Sequence, residues 1–204
     1  MSELAEKLAA GIAEMGLQFS PEKQQSLLGY LALLAKWNKV YNLTAVRDPL
    51  EMVTLHLLDS LSVLSYIDGK SLLDVGSGGG LPGIVLAICL PDLQVTTIDT
   101  VQKKAIFMRQ VKGELGLSNL QVVNARVEEY EAEPFELIIS RAFSDLNLFM
   151  AFSQHLLAED GRWLAMKGVS PQQDLEALKV KSKVYPLSVA GLEAERHLAI
   201  IEKF

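Results

Sequence analysis

The stretch Leu73-Asp74-Val75-Gly76-Ser77-Gly78-Gly79-Gly80-Leu81-Pro82-Gly83 joins a short apolar strand, Ser71 to Val75, to an apolar helical run from Pro82 to Leu90. Glycines at such a junction let the backbone turn sharply and let a ligand lie against it with no Cβ in the way. Strand, glycine turn and helix in that order open a doubly wound α/β sheet, whose ligands bind at the carboxyl edge of the strands. The rest of the pattern agrees. Gln94 to Asp99, Gln121 to Val123, Phe135 to Ser140 and Arg162 to Met166 read as further strands, with helical stretches at Gln102 to Leu115 and Asp145 to Leu157. Strands alternating with helices make a mostly parallel sheet. Ser170-Pro171 caps one more helix. The strand-like runs Val184 to Val189 and Leu198 to Lys203 have no clear helix between them, so a C-terminal antiparallel hairpin is expected.

Ahead of the sheet, residues 1–67 read as an N-terminal helical appendage, and residues 68–204 as the α/β domain, the two forming one structural unit. Leu4, Leu8, Ile12 and Met15 recur at helical spacing before Gly16. Ser20-Pro21-Glu22 supplies an N-cap with proline in the first turn of a second helix, whose apolar face is Leu27, Leu28, Leu31, Leu34 and Trp37. Asp48-Pro49-Leu50-Glu51 starts a third, expected to run through Leu55, Leu58, Leu61 and Leu64.

Composition removes several classes. The chain has 204 residues, half of them apolar and 22% charged, enough for a core without disulfides or structural metal. The single Cys89 leaves no disulfide framework or cysteine-rich zinc site, and His155 and His197 lack acidic or cysteine partners at metal spacing, so no metal is expected. Glu3 and Glu6 interrupt any secretory leader, and the longest apolar run, Ile84 to Leu90, is too short for a bilayer. A cytoplasmic chain is expected, and no exposed heptad or long apolar edge asks for more than a monomer. The net charge of −6 argues against holding nucleic acid by bulk attraction. Local basic stretches exist nonetheless: Lys36, Lys39 and Arg47, and Lys103, Lys104, Arg109 and Lys112, both without an intervening acid. Two solvated helix faces are the plainer reading of them.

The glycine loop serves two cofactor classes. Gly78, Gly80 and Gly83 satisfy the Gly-x-Gly-x-x-Gly pattern of dinucleotide sites, in which amides face a pyrophosphate. That match begins two residues late, and Gly76 has Leu81 where its third glycine should stand. Asp74, at the strand end, would repel a pyrophosphate, whereas a ligand carrying an ammonium and a sulfonium would welcome it. Asp-x-Gly-x-Gly-x-Gly (Asp74, Gly76, Gly78, Gly80) is the pattern of S-adenosylmethionine methyltransferases. Asp99, ending the second strand, can take both ribose hydroxyls of an adenosine, a role common to both classes.

Along nearly its whole length the chain resembles the glucose-inhibited division protein B family of bacterial 16S ribosomal RNA guanine-N7 methyltransferases. The resemblance rests on Trp37-Asn38 with Asn42-Leu43-Thr44, His56-Leu57-Leu58-Asp59-Ser60, and Asp74 through Ile84 with its Gly80-Leu81-Pro82-Gly83. It continues through Arg126-Val127-Glu128, Ser140-Arg141-Ala142-Phe143, Lys167-Gly168 and Glu195-Arg196-His197-Leu198. It implies a Rossmann-like methyltransferase fold with S-adenosylmethionine as donor. It further implies cofactor contacts at Gly76 and Leu81, Asp99 at the ribose, Val127 and Glu128 flanking adenine, and Arg141 beside the pocket. The implied partner is 16S ribosomal RNA or the small ribosomal subunit.

Guanine N7 has an exposed lone pair and no proton, so in-line attack needs no general base, and no catalytic residue is expected. The A-form major groove is too narrow for side chains, which favours an unpaired or distorted guanosine. Arg126, Arg141, Lys167 and Arg196 each follow or end a strand near the cofactor edge, where they can clamp phosphate or the guanine edge, ordinary surface ion pairs being the alternative. Asn38, Asn42 and Arg47 can face the same cleft, with Asn42 equally readable as a turn residue. His56 reads as a core-bonded histidine, Cys89 as an inert core thiol, Trp37 and Trp163 as core, and Phe143 as a stacking candidate. Three other functions compete: a nicotinamide-dependent oxidoreductase, a non-enzymatic ribosome-assembly factor, and a methyltransferase acting on a small molecule.

Overall fold

A computed structural model describes residues 2–203. Ser2 Oγ accepts from the Ala5 N–H and starts α1 (Glu3–Glu14), and Ser20 Oγ accepts from the Lys23 N–H at the start of α2 (Pro21–Tyr41). Each cap satisfies an amide that the first helical turn leaves unpaired. α2 ends at Asn42, which takes the left-handed conformation at φ 50°.

The third helix departs from the expected one. Asp48 caps α3 (Pro49–Met52), but the chain then loosens into a π-helical stretch, Val53–Leu58, before α4 (Asp59–Leu61) and a 3-10 turn at Leu64–Tyr66. Widening to i→i+5 bonding leaves the apolar spacing of Leu55, Leu58 and Leu61 nearly unchanged, which is why periodicity alone reads it as one helix.

The remainder alternates as expected. In order come β1 (Ser71–Val75), α5 (Gly83–Cys89), β2 (Gln94–Asp99), α6 (Gln102–Leu115) and β3 (Leu120–Asn124). These are followed by β4 (Phe135–Ser140), α7 (Leu146–Ser153), β5 (Leu157–Lys167), α8 (Gln172–Leu178), β6 (Ser182–Pro186) and β7 (His197–Glu202). The seven strands lie in the order β3-β2-β1-β4-β5-β7-β6, parallel through β5, with β7 antiparallel to both β5 and β6. The expected mostly parallel, Rossmann-like sheet with its closing antiparallel pair is thus the observed one. Two boundaries shift: β5 begins five residues before the expected Arg162, and β6 lies slightly upstream of the expected Val184 to Val189.

Adjacent residues on each central strand point to opposite faces, and each face has its own core. Leu72, Val95, Leu137 and Leu164 pack with Leu8, Leu27, Leu31 and Leu34 of α1 and α2 and with Ile84 and Phe107 of α5 and α6. On the opposite face, Leu73, Ile98, Ile138 and Trp163 pack with Phe149 and Met150 of α7 and Leu175 of α8. The N-terminal helices therefore share one of the sheet's two cores. No helix among the described residues is long and apolar enough to cross a membrane.

Strand order reverses between β1 and β4: the chain moves outward through β2 and β3, then returns to the other side of β1. Loops leaving β1 and β4 diverge there and open a crevice at the carboxyl edge.

Candidate active site

The loop after β1 is built for close approach. Gly76, Gly78 and Gly80 have φ of +71°, +60° and +94°, conformations that cost an L side chain strain. Ser77 Oγ donates to the Asp74 carbonyl at 2.7 Å, and the Gly80 and Leu81 N–H groups donate to the Ser77 carbonyl at 2.8 and 2.9 Å. From α2, the buried Tyr30 hydroxyl donates to the Gly79 carbonyl at 2.7 Å and fastens the N-terminal helices to the loop.

Asp74 lies beneath the loop and lines neither of the cavities above it. Its side chain is fully buried, and Oδ2 accepts from the Gly83 N–H at 2.9 Å at the start of α5. A Cβ on Gly83 would lie 2.8 Å from that oxygen, so this glycine makes room for the carboxylate. Burial pushes the Asp74 carboxyl up to about 7. In this structure one oxygen of the group joins strand to helix, while Oδ1 is buried with no hydrogen-bond partner among the described residues and neither cavity wall includes the side chain. The first amide of α5, that of Gly83, is thus satisfied by Asp74.

Two adjoining cavities open above the loop, sharing Gly76 and Ala142 as their common wall. The first, about 350 Å³, lies over the ends of β1 and β2 and is walled by Asp99, Val101, Lys104, Val127, Glu128 and Phe143. Asp99 is held from three sides. Its Oδ2 accepts from the Gly78 N–H and its Oδ1 from the Val101 N–H, both at 2.9 Å, while Lys104 Nζ stands 3.7 Å from Oδ2. Each carboxylate oxygen keeps a second lone pair, so the group can still accept from a diol. Glu128 is paired with Arg126, whose side chain is mostly exposed at the rim. A backbone N–H, and then that contact, hold the Glu128 carboxyl below its ordinary value.

The second cavity, about 210 Å³, is lined by Leu34, Leu43, Thr44, the Gly76–Gly79 loop, Leu81 and Arg141. The cradle fits an extended ligand crossing from one cavity to the other. A Cβ at Gly76 would meet the Ala142 Cβ at 3.0 Å, so only glycine keeps that junction open.

The residues expected to hold substrate are distributed differently. Arg141 and Arg196 meet on a single buried carboxylate, Asp59, at 3.0 Å from Arg141 Nη1 and 2.9 Å from Arg196 Nε. Arg141 Nη1 also donates to the Leu55 carbonyl of the π-helical stretch at 3.1 Å. Lys167 Nζ donates to the Phe143 and Ser144 carbonyls at 2.6 and 2.8 Å, so it fastens the loop after β4; partial burial lowers its pKa. Asn42 lines neither cavity; its Oδ1 accepts from Arg47 Nη2 at 2.7 Å. Arg47 faces outward with it. His56 is buried, with Nε2 2.8 Å from Thr44 Oγ1, and desolvation pushes its imidazole down to about 4. Burial likewise pushes the Cys89 thiol up to about 12, and Trp163 is wholly buried. Phe143 reaches the first cavity with its ring stacked at 5.4 Å on Phe149.

Thr44, Tyr30 and Asp59 also hold the site together, and local sequence pattern assigns none of them that role. Thr44 and Asp59 sit inside quoted motifs, but the partners that give them meaning lie far away in the chain. Among the described residues no group of three or more His, Cys, Asp or Glu is placed to hold a metal.

The family model for rRNA small subunit methyltransferase G (GidB) matches residues 23–199. A ribosomal RNA small subunit methyltransferase G from Methylobacillus flagellatus is 63% identical, covering 97% of this chain and 98% of that one. Its counterpart in Pseudomonas fluorescens is 53% identical, covering 99% and 96%. Among solved structures, an O-methyltransferase from Bacillus cereus in complex with SAH superposes with a TM-score of 0.62 at 17% identity, covering 98% of this chain and all of that one. A putative S-adenosyl-L-methionine-dependent methyltransferase from Methanococcus maripaludis gives 0.59 at 16% identity, covering 85% and 91%. At such identities the likeness concerns the fold, which is that of S-adenosylmethionine-dependent methyltransferases. Fold, glycine cradle and sequence relatives together make S-adenosylmethionine the cofactor of this methyltransferase, and the chain belongs to the rRNA small subunit methyltransferase G family.

Proposed function

We propose that this chain methylates N7 of a guanosine in 16S ribosomal RNA by direct in-line attack, without a general base. The observation carrying this reading is the chemistry of the second cavity. Arg141 is the one ionisable side chain on its walls among the described residues, so no carboxylate or imidazole there is placed to take a proton. Guanine N7 has none to give, unlike an exocyclic amine or a hydroxyl. When bound, S-adenosylmethionine would supply an electrophilic methyl on its sulfonium, whose bond to sulfur breaks, leaving its electron pair on sulfur, as the N7 lone pair bonds the carbon with no proton changing hands.

The chain's own part is placement. Asp99 would accept from the ribose hydroxyls, Val127 and Glu128 would flank the adenine, and the bare Gly76 junction would leave room for the donor toward Leu81 and Arg141. Methylation leaves the guanine cationic, and an unpaired cation beside it would oppose the reaction. Arg141 is paired with Asp59, which spreads and partly neutralises its charge. The family description supports small-subunit ribosomal RNA as the substrate.

The test is direct. Small ribosomal subunits from cells lacking this protein are incubated with it and methyl-labelled S-adenosylmethionine, and the RNA is digested to nucleosides. Label in 7-methylguanosine at one position is the expected result. Label in another nucleoside overturns the N7 assignment, and unlabelled RNA with intact donor binding moves the function to a small molecule, a protein or a missing partner.

A further inference from the structure

On the outer side of α2, away from the cofactor cavities, lies a groove of about 370 Å³ lined by Ala32, Ala35, Lys36, Lys39, Arg47 and Pro49, with Asn38 at its base. Its two alanines open the floor, and its three cations are all solvent-exposed. None of the three meets a carboxylate among the described residues. The nearest partners of Arg47 are neutral: Asn42 Oδ1 at 2.7 Å and the Asn38 carbonyl at 3.4 Å. From Lys36 to Arg47 the chain has no acid, although the whole protein carries −6. Surface lysines paired with neighbouring carboxylates would suit a solvated helix face. Three unpaired cations gathered around one concavity, on a chain otherwise acidic, instead concentrate positive potential in one place.

The groove is mechanically joined to the second cofactor cavity. Asn38 is buried in α2, where its Nδ2 donates to the Val46 carbonyl at 3.0 Å and its Oδ1 accepts from the Thr44 N–H at 2.9 Å. One carboxamide therefore pins the loop between Asn42 and Arg47 at two points. Thr44 on that loop faces the cavity, while Arg47 on the same loop faces the groove. Asn42, expected in the cleft, instead aims the Arg47 guanidinium.

We propose that the Lys36–Lys39–Arg47 groove docks the phosphate backbone of the RNA substrate, with Asn38 and Asn42 fixing its geometry relative to the methyl-transfer cavity. The inference rests on the ribosomal RNA reading above and adds a second, sequence-independent contact outside the catalytic crevice. Such a contact supplies affinity and register rather than chemistry.

The experiment compares wild-type protein with Lys36→Glu/Lys39→Glu and Lys36→Ala/Lys39→Ala variants, on unmethylated small subunits and on protein-free 16S RNA. Both lysines are exposed, and S-adenosylmethionine binding by calorimetry checks that the variants remain folded. The charge reversal is expected to raise KM for subunits by about tenfold or more, with kcat retained within about twofold. The alanine variant is expected to flatten the salt dependence of binding by about one to two units of log-log slope, near 0.7 per lost phosphate contact. Wild-type KM and salt slope in both variants would overturn the proposal. So would a defect confined to intact subunits with wild-type binding to protein-free RNA, which would assign the groove to a ribosomal protein. Wild-type protein that binds RNA through these lysines yet leaves no 7-methylguanosine would sink the guanine reading while the groove stands.

Discussion

Arg141 donates to Asp59 Oδ2 at 3.0 Å, and the other oxygen of that carboxylate accepts from Arg196 Nε at 2.9 Å. Asp59 belongs to the N-terminal helices, Arg141 follows β4, and Arg196 precedes β7. One side chain thus ties three separate parts of the chain at the carboxyl edge, beside the second cavity.

Removing the charge should break this tie in a measurable way. Breaking a buried ion pair by losing one partner costs about 3–5 kcal/mol. Here each guanidinium keeps about a quarter of its surface exposed, which lowers the expectation for Asp59→Asn to about 2–3 kcal/mol. Urea unfolding of Asp59→Asn, Arg196→Met and the double variant provides the check. The double variant should lose less than the sum of the singles, because the second change removes a cation already left unpaired. Strict additivity would mean that the contact contributes nothing.

That same triad marks the limit of what the sequence discloses. The strand from Ser71 to Val75, its glycine turn and Asp99 are legible because each role is local: alternation, positive φ, a carboxylate at a strand end. Asp74 was legible as chemistry but not as direction. A carboxylate at the end of β1 can turn toward a ligand or toward the amides of the next helix, and only the packing of Gly83 against it decides. Asp59 and Arg196 are separated by 137 positions, and nothing in either local stretch names the other. The π-helical turn at Val53–Leu58 was hidden for a different reason, since its leucines keep helical spacing on both sides of the widened turn.

Lys167 is expected to act through the loop it holds. Its ammonium spans the Phe143 and Ser144 carbonyls, and Phe143 forms part of the first cavity wall. Lys167→Met keeps the stem's packing and removes the donors. The expected result is a donor Kd raised about three- to tenfold, equivalent to about 0.7–1.4 kcal/mol, with kcat at saturating donor less affected. A fall in kcat at unchanged donor affinity would instead place the ammonium on the RNA.

Gly76 and Gly113 form a paired test of the glycine argument. Gly76→Ala forces a side chain into φ +71° and sets its Cβ 3.0 Å from that of Ala142. Strain of about 1–2 kcal/mol should accompany a donor affinity weakened by about tenfold or more, about 1.4 kcal/mol. Gly113 lies inside α6 with nothing within 4 Å of an added Cβ. Gly113→Ala should therefore stabilise the protein by about 0.5–1 kcal/mol, leaving donor binding alone. Calorimetric titration and thermal melts of both variants separate the two effects, and equal donor affinities would remove Gly76 from the site.

Asp74 and His56 should oppose one another in the pH dependence of stability. Burial raises the Asp74 carboxyl from 3.8 to about 7, so between those values the folded state holds a proton the unfolded chain has released, and stability falls as pH rises. Burial lowers His56 from 6.5 to about 4, so over that range the unfolded chain holds the extra proton, and stability falls as pH drops. From about pH 4 to 6.5 the two slopes cancel, which predicts that these groups leave the wild-type profile nearly flat there. Asp74→Asn should expose the histidine's contribution as a rise in stability with pH, and His56→Gln should expose the carboxyl's contribution as a fall. Urea midpoints of the three proteins between pH 4.5 and 6.5 decide the matter. Parallel profiles would mean that neither group titrates out of its ordinary range. Asp74→Asn also reports on orientation: its side chain lines neither cavity, so donor affinity should stay within about threefold of wild type, about 0.7 kcal/mol, and a larger loss in a folded variant would turn the carboxylate back toward the cofactor.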